Sequence, residues 1–179
     1  MMKVLKHTPI ALFVGIQAGM IQMIDQMLHS HMPISGGVGY SWASFLGWAT
    51  YFMPGCTVFN GIQSVVSFVM GIISGIFIFT IAGAIGSMGF WAAPAAVCLI
   101  AWLLMYLELC PKLFRLIPAV YVACAAFFGS MLYIPGATYP EVFITLMVYL
   151  LLGLVLGWMT ITFRTWYSKK IGEEESSGH

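Results

Sequence analysis

Several residue groups in this chain have types and spacings that could do chemistry. Near the end of a first apolar stretch, Gln22, Asp25 and His29 stand three and four residues apart, so a continuous helix puts them on one face. That face predicts a polar vestibule, with the carboxyl and imidazole tuning each other's protonation; the plainer alternative is an interfacial Asp that reaches water. Met20, Met23 and Met27, followed by His29, His31 and Met32, place soft ligands nearby and open a lesser reading as a metal or proton-coupled transporter. With Met residues spread along the chain, that stripe reads first as filler, and no metal site is assigned.

The second group is an aromatic run interleaved with small residues. Trp42, Phe45 and Ala49 share one helical face, and Ser44, Trp48 and Tyr51 share another, with Thr50 between them. Rings can narrow a passage while small residues let helices approach closely, so Trp42, Phe45, Trp48, Thr50 and Tyr51 are candidates for a pore or solute-binding lining. An aromatic belt with ordinary packing is the competing reading, since Tyr40 and Trp42 fall near an interface. Asn60 and Gln63, three apart, could replace a solute's lost water contacts; equally, they and Gln17 could bond across helices.

Two glycine pairs, Gly71 with Gly75 and Gly153 with Gly157, have the GxxxG spacing of close helix contacts, within a protomer or between protomers. Glu108 and Lys112 are spaced for an interfacial pair, and Glu141 falls where an acid complements a helix N-terminus. Cys56, Cys98, Cys110 and Cys124 are scattered, with neither metal-ligand nor disulfide spacing. No HExxH, GxSxG or phosphate-binding loop occurs, so neither an enzyme nor a cofactor is expected.

These residues are held by an apolar chain. Hydrophobic residues make up 61% of the 179 and charged ones 7%, too few to cover a soluble domain, which carries about 25%. The solvent is therefore lipid, and the fold is all-α, since a bilayer leaves no backbone group unpaired. The formal net charge of +1 leaves no basic field for nucleic acid.

Six apolar segments can be marked: Thr8 to Leu28, Gly39 to Met53, Phe59 to Ile81, Met88 to Leu109, Phe114 to Tyr133, and Glu141 to Phe163. Pro33 with Gly36-Gly37, Pro54-Gly55, Gly83 to Gly89, Pro111 and Pro135-Gly136 punctuate them. Residues 1–163 form one transmembrane domain, and 164–179 a polar cytoplasmic tail carrying Lys169, Lys170 and Glu173 to Glu175. Every Lys and Arg lies at Lys3 and Lys6, at Lys112 and Arg115, or at Arg164, Lys169 and Lys170. Six crossings with both termini cytoplasmic put all three clusters inside.

The halves, about 8–81 and 88–163, echo one another. WASFLGWATYFM, beginning at Trp42, aligns with PAVYVACAAFFG, beginning at Pro118, so Phe45 matches Tyr121, and Tyr51-Phe52 matches Phe127-Phe128. Tyr121 and Phe127 join the lining candidates on that ground. In the segment that follows each, Gly71 and Gly75 answer Gly153 and Gly157. Three spans per half is odd, so the expected architecture is two inverted three-helix repeats, with a site at their interface.

At these residues the sequence resembles a family of bacterial inner-membrane proteins, the YcdZ-like domain-of-unknown-function family. Ser41-Trp42-Ala43-x-Phe45-Leu46-Gly47 with Ala49-x-Tyr51-Phe52, Pro118 with Ala123-Cys124-Ala125-x-Phe127, and Leu152-Gly153-Leu154-x-x-Gly157 carry it. The resemblance spans about residues 9–163 and implies a multi-pass protein of the bacterial inner membrane, without supplying an activity. Asp25 and the methionines around it fall outside the matching motifs.

Two functions follow from the residues. The first is a channel or facilitator for a small neutral or weakly ionised solute; the second is a non-transporting scaffold or accessory subunit that docks a partner through its GxxxG faces. Membrane lipid is a partner in either, and the small-residue faces also predict a homo-oligomer.

Overall fold

A computed structural model describes residues 2–34 and 39–171. Six helices follow one another: α1 Met2–Leu28, α2 Ser41–Phe52, α3 Val58–Ala84, α4 Ala92–Met105, α5 Ile117–Tyr133 and α6 Tyr139–Lys170. Tight 3-10 turns flank α4 at Gly86–Trp91 and Tyr106–Leu109, and others follow α1 at His29–His31 and precede α5 at Lys112–Phe114. The turn expected at Gly36-Gly37 and the acidic run Glu173 to Glu175 lie outside the described residues.

Among the described residues, five helical segments are long and apolar enough to cross a bilayer: Lys6–His31, Val58–Ala84, Gly86–Leu109, Lys112–Tyr133 and Tyr139–Lys170. This is a multi-pass membrane protein by helix length and hydropathy. The exception is α2, whose 12 residues rise about 18 Å against a hydrocarbon core of about 30 Å.

Local chemistry sets the ends of the helices. Thr57 precedes α3 and accepts the Asn60 N–H on its hydroxyl at 3.2 Å. Thr138 and Glu141 form a capping box at the start of α6, the Glu141 carboxylate taking the Thr138 N–H at 3.0 Å. Pro118 and Pro140 occupy first-turn positions, where a missing N–H costs nothing. Pro9 lies within α1 instead of opening it, so the helix starts upstream of the expected Thr8. Between α4 and α5, Cys110 is extended, which breaks the register that would have stacked Lys112 over Glu108. At its far end α6 continues past Phe163 to Lys170, so the expected polar tail begins as helix. Phe163 stacks on Tyr167, and the Lys170 ammonium sits 5.1 Å from the centre of the Trp166 ring.

The tightest pairings are α2 with α6 and α3 with α5. Lipid offers no hydrophobic drive between helices, so close approach and dispersion must supply the packing. The core between these pairs includes Phe68, Ile72, Ala123, Phe127, Leu146 and Leu150. A second cluster joins α4 to α3 and α5 through Ile78, Ala96, Ile100 and Val120. The α1 helix runs antiparallel to α6, with Phe13 stacked on Phe163 at 4.1 Å and Ile21 packed on Leu156 and Trp48.

The described basic residues come to one end of this bundle. The start of α1 meets the far part of α6 through the Phe13–Phe163 stack. Gln63, early in α3, donates its amide to the Lys112 carbonyl, which brings the α4–α5 connection there. Cys56 and Thr57, between α2 and α3, lie beside Trp166 and Lys169.

Candidate functional site

The four GxxxG glycines are spent on contacts inside the protomer. A Cβ on Gly153 would strike the Ser44 carbonyl oxygen, the Trp48 nitrogen at 2.6 Å and the Gly47 carbonyl carbon at 2.9 Å. On Gly157 it would sit 2.7 Å from Tyr51 Cβ. Across the other pair, a Cβ on Gly71 would strike the Val120 carbonyl oxygen, Ala123 Cβ at 2.8 Å and the Cys124 nitrogen at 3.0 Å. On Gly75 it would meet Phe127 Cδ1 at 2.6 Å. Residues four apart on one helix thus meet successive turns of the other in the same order, so α2 runs parallel to α6, and α3 parallel to α5.

A seam of buried polar side chains descends between α1, α2 and α6. At its middle the Thr160 hydroxyl lies 2.7 Å from Gln17 Oε1 and 2.8 Å from the Leu156 carbonyl, its own turn of helix. Gln17 donates its amide to that same carbonyl at 3.0 Å, and the Trp48 indole N–H donates to Thr160 Oγ1 at 3.1 Å. All three side chains are buried. In an apolar medium each lost partner would be costly, and this network leaves none of the three unmet.

Further from the basic end, the seam reaches Asp25. Its carboxylate is 7% exposed, accepts the Tyr40 N–H on Oδ1 at 2.9 Å and presses Oδ2 against Gly39. A Cβ on Gly39 would collide with that oxygen, so any larger residue there would have to displace the carboxylate. The carboxylate therefore stands at the N-terminus of α2, where the helix dipole favours a negative charge. Tyr149 of α6 lies beside it, its hydroxyl buried without a hydrogen bond. The Tyr40 ring packs on Tyr149 at 5.8 Å, and its hydroxyl, near Ser130 of α5, is also buried and unbonded. Thr145, one turn from Tyr149, buries a third unpaired hydroxyl.

Near the basic end, on the face of α6 turned away from Thr160, lies a groove of about 510 Å³ lined by Tyr51, Cys56, Thr57, Trp158, Thr162 and Trp166, among others. Here burial pushes the Cys56 thiol above its ordinary range, and Arg164 pulls the other way. A separate apolar recess of about 200 Å³ between α3, α4 and α5 includes Val97, Leu104, Tyr121 and Phe128.

The residues singled out from sequence are divided among these places. Trp48, Thr50 and Tyr51 face inward; Thr50 donates to the Leu46 carbonyl at 2.7 Å, and Tyr51 to the Cys56 carbonyl at 3.1 Å. Trp42 and Phe45 point outward, as does Tyr121, whereas Phe127 is buried against Gly75 and Tyr139. Asn60 ties the α2–α3 turn by donating to the Pro54 carbonyl, and Gln63 holds the α4–α5 connection. Gln22, Asp25 and His29 do not converge. Gln22 is exposed and donates to Ser41 at 3.1 Å, while His29 Nδ1 donates to the Asp25 backbone carbonyl at 2.8 Å. His31 Nδ1 likewise donates to the Met27 carbonyl at 3.2 Å, and Met23 and Met27 are exposed. Among the described residues no three His, Cys, Asp or Glu side chains gather where they could hold a metal.

Sequence reasoning placed Tyr40 in an aromatic belt; it is fully buried against Tyr149. Tyr149, Thr145 and Thr160 were not singled out. Their signal is the recurrence of Thr145, Tyr149 and Thr160 at helical spacings in an otherwise aliphatic segment, which marks one polar face of α6.

Helix length, hydropathy and the buried polar seam define the class: an all-α, multi-pass membrane protein. A family model described as a protein of unknown function (DUF1097) matches residues 7–165, and the chain belongs to that family. No curated protein and no solved structure matches the chain.

Proposed function

We propose that the protein is a channel or facilitator for a small neutral or weakly ionised solute. The observation that carries this reading is the seam of buried polar groups, from Asp25 and Tyr149 through Gln17, Trp48 and Thr160. Polar side chains at membrane depth are costly, and where they line up between helices they mark a pathway. The indole of Trp48 and the ring of Tyr51 narrow the route, and Thr160 and Gln17 offer the hydrogen bonds that a solute loses with its water.

In this reading α2 completes a sixth crossing. The two parallel pairings support an inverted three-helix repeat, because Ser44, Gly47, Trp48 and Tyr51 surround Gly153 and Gly157 with the spacing that Val120, Ala123, Cys124 and Phe127 have around Gly71 and Gly75. Gathering of the basic residues at one end supports cytoplasmic termini in a bacterial inner membrane. The scaffold alternative loses its docking faces, since the GxxxG glycines are occupied within the protomer. Association into a homo-oligomer would use the exposed apolar faces, Trp102 and Trp158 among them.

The test is flux into liposomes holding the purified chain, across a panel of small amides, alcohols, amines and weak acids. A solute should enter faster than into empty liposomes, and Thr160→Val should slow it. Absence of flux for every solute overturns the reading.

A further inference from the structure

We propose that Asp25 is a proton-binding site that latches the N-terminus of α2. This inference rests on the transport reading for its purpose, the control of the seam, and on independent chemistry for its existence. The carboxylate is buried, yet the cations that could neutralise it are far off: along α1, Lys6 is about 28 Å away at 1.5 Å per residue, and the remaining Lys and Arg among the described residues gather at that same end. Among the described residues, an unneutralised charge in this setting is held by the Tyr40 N–H and the α2 dipole, with the Tyr149 hydroxyl beside it.

The neighbouring groups are arranged for the protonated form as well. Oδ1 carries the Tyr40 N–H, which leaves Oδ2, against Gly39, as the oxygen to take a proton. Tyr149 presents a fully buried hydroxyl beside the carboxyl, and a phenol can donate to the carboxylate or accept from the carboxylic acid. Gly39 lies against Oδ2, and Tyr40, Thr145 and Tyr149 have no exposure, so these groups keep bulk water from that side of the carboxyl. Among the described residues, the titratable groups beside Asp25 are Tyr149 from α6, Tyr40 at the start of α2, and His29, which bonds the Asp25 backbone carbonyl from the turn after α1; the Ser130 hydroxyl of α5 lies by Tyr40.

Binding is simple addition: one proton from water joins Oδ2, and the carboxylate becomes a carboxylic acid. The Tyr40 N–H then faces a neutral acceptor, the charge opposite the α2 dipole is gone, and the start of α2 loosens from α1. Since Ser44, Gly47 and Trp48 continue directly from that start onto α6, loosening reaches the seam.

The experiment uses the full chain in lipid nanodiscs, followed by infrared difference spectra and amide hydrogen exchange at stepped pH, corrected for intrinsic exchange. As pH falls, a carboxylic-acid C=O band should grow in step with faster exchange of the Tyr40 to Ser44 amides. Both changes should vanish in Asp25→Asn and persist in His29→Gln. A carboxylate that stays ionised wherever the protein is folded, exchange that ignores the titration, or the same response to sodium at constant pH overturns the proposal. If Asp25→Asn does not fold, Tyr149→Phe, which keeps the carboxylate, should displace the titration midpoint; an unmoved midpoint overturns it too. Loss of flux at every pH would sink the transport reading while leaving these spectroscopic outcomes decisive.

Discussion

Gly153 lies against the carbonyl oxygen of Ser44 with no room for a methyl group between α6 and α2. Gly71 and the carbonyl oxygen of Val120 stand in the same relation between α3 and α5. These two close approaches set the helix spacing on which the polar seam depends, and the predictions begin with them.

Gly153→Ala and Gly71→Ala should each destabilise the protein by about 1–3 kcal/mol, because the obstacle is backbone that cannot turn aside. The comparison is Gly19→Ala in α1, where nothing stands within 4 Å. There the helix propensity of alanine should leave stability unchanged or raise it by up to about 1 kcal/mol. Unfolding in detergent followed by circular dichroism separates the two classes.

Gln17→Leu and Thr160→Val each remove one partner from the seam's central network. Each should cost about 0.6–1.7 kcal/mol, the range that interhelical hydrogen bonds reach in membranes. Because the two groups share one bond, the double variant should cost less than the sum of the singles. Additive losses in a double-mutant cycle would mean that the bond carries no coupling energy.

With Cys56 as the sole cysteine, a membrane-impermeant maleimide should label it from the cytoplasmic side alone, since its turn lies beside Trp166 and Lys169. Labelling from the opposite side contradicts the proposed cytoplasmic orientation of the basic end. The reaction should also be slow at neutral pH. Burial raises the thiol, so less thiolate is present than for an ordinary cysteine, and the rate should climb as pH rises.

The α2–α3 turn offers a further check. Cys56 has φ 61°, in the left-handed region, held by the Tyr51 hydroxyl on its carbonyl. Cys56→Gly should relieve this strain and match or exceed the parent's thermal stability, whereas the β-branched Cys56→Val should lose about 1–3 kcal/mol. Equal melting temperatures for the two would count against a strained turn.

Much of the fold was legible in the sequence because lipid imposes simple rules. Apolar length marks α1, α3, α5 and α6, and the Pro and Gly breaks fall near their ends. The GxxxG spacing marked the glycines at the close crossings, though not which helix each would meet. The 3-10 turns that flank α4 are not legible because composition changes little there, and the continuation of α6 to Lys170 is not because polar residues mark the exit from lipid and not the end of the helix.

For the candidate site the division is sharper. Sequence by itself determined that Asp25 is an acid in an apolar segment and that Trp48 and Tyr51 share a helical face, because both depend only on local composition and the 3.6-residue period. Tertiary structure alone decided that Asp25 turns inward to the Tyr40 N–H while Gln22 turns out, and that Gln17, Trp48 and Thr160 meet. Helical spacing fixes an angle around one axis. Which sector of that circle faces another helix, and which faces lipid, is settled only when the neighbouring helices are packed.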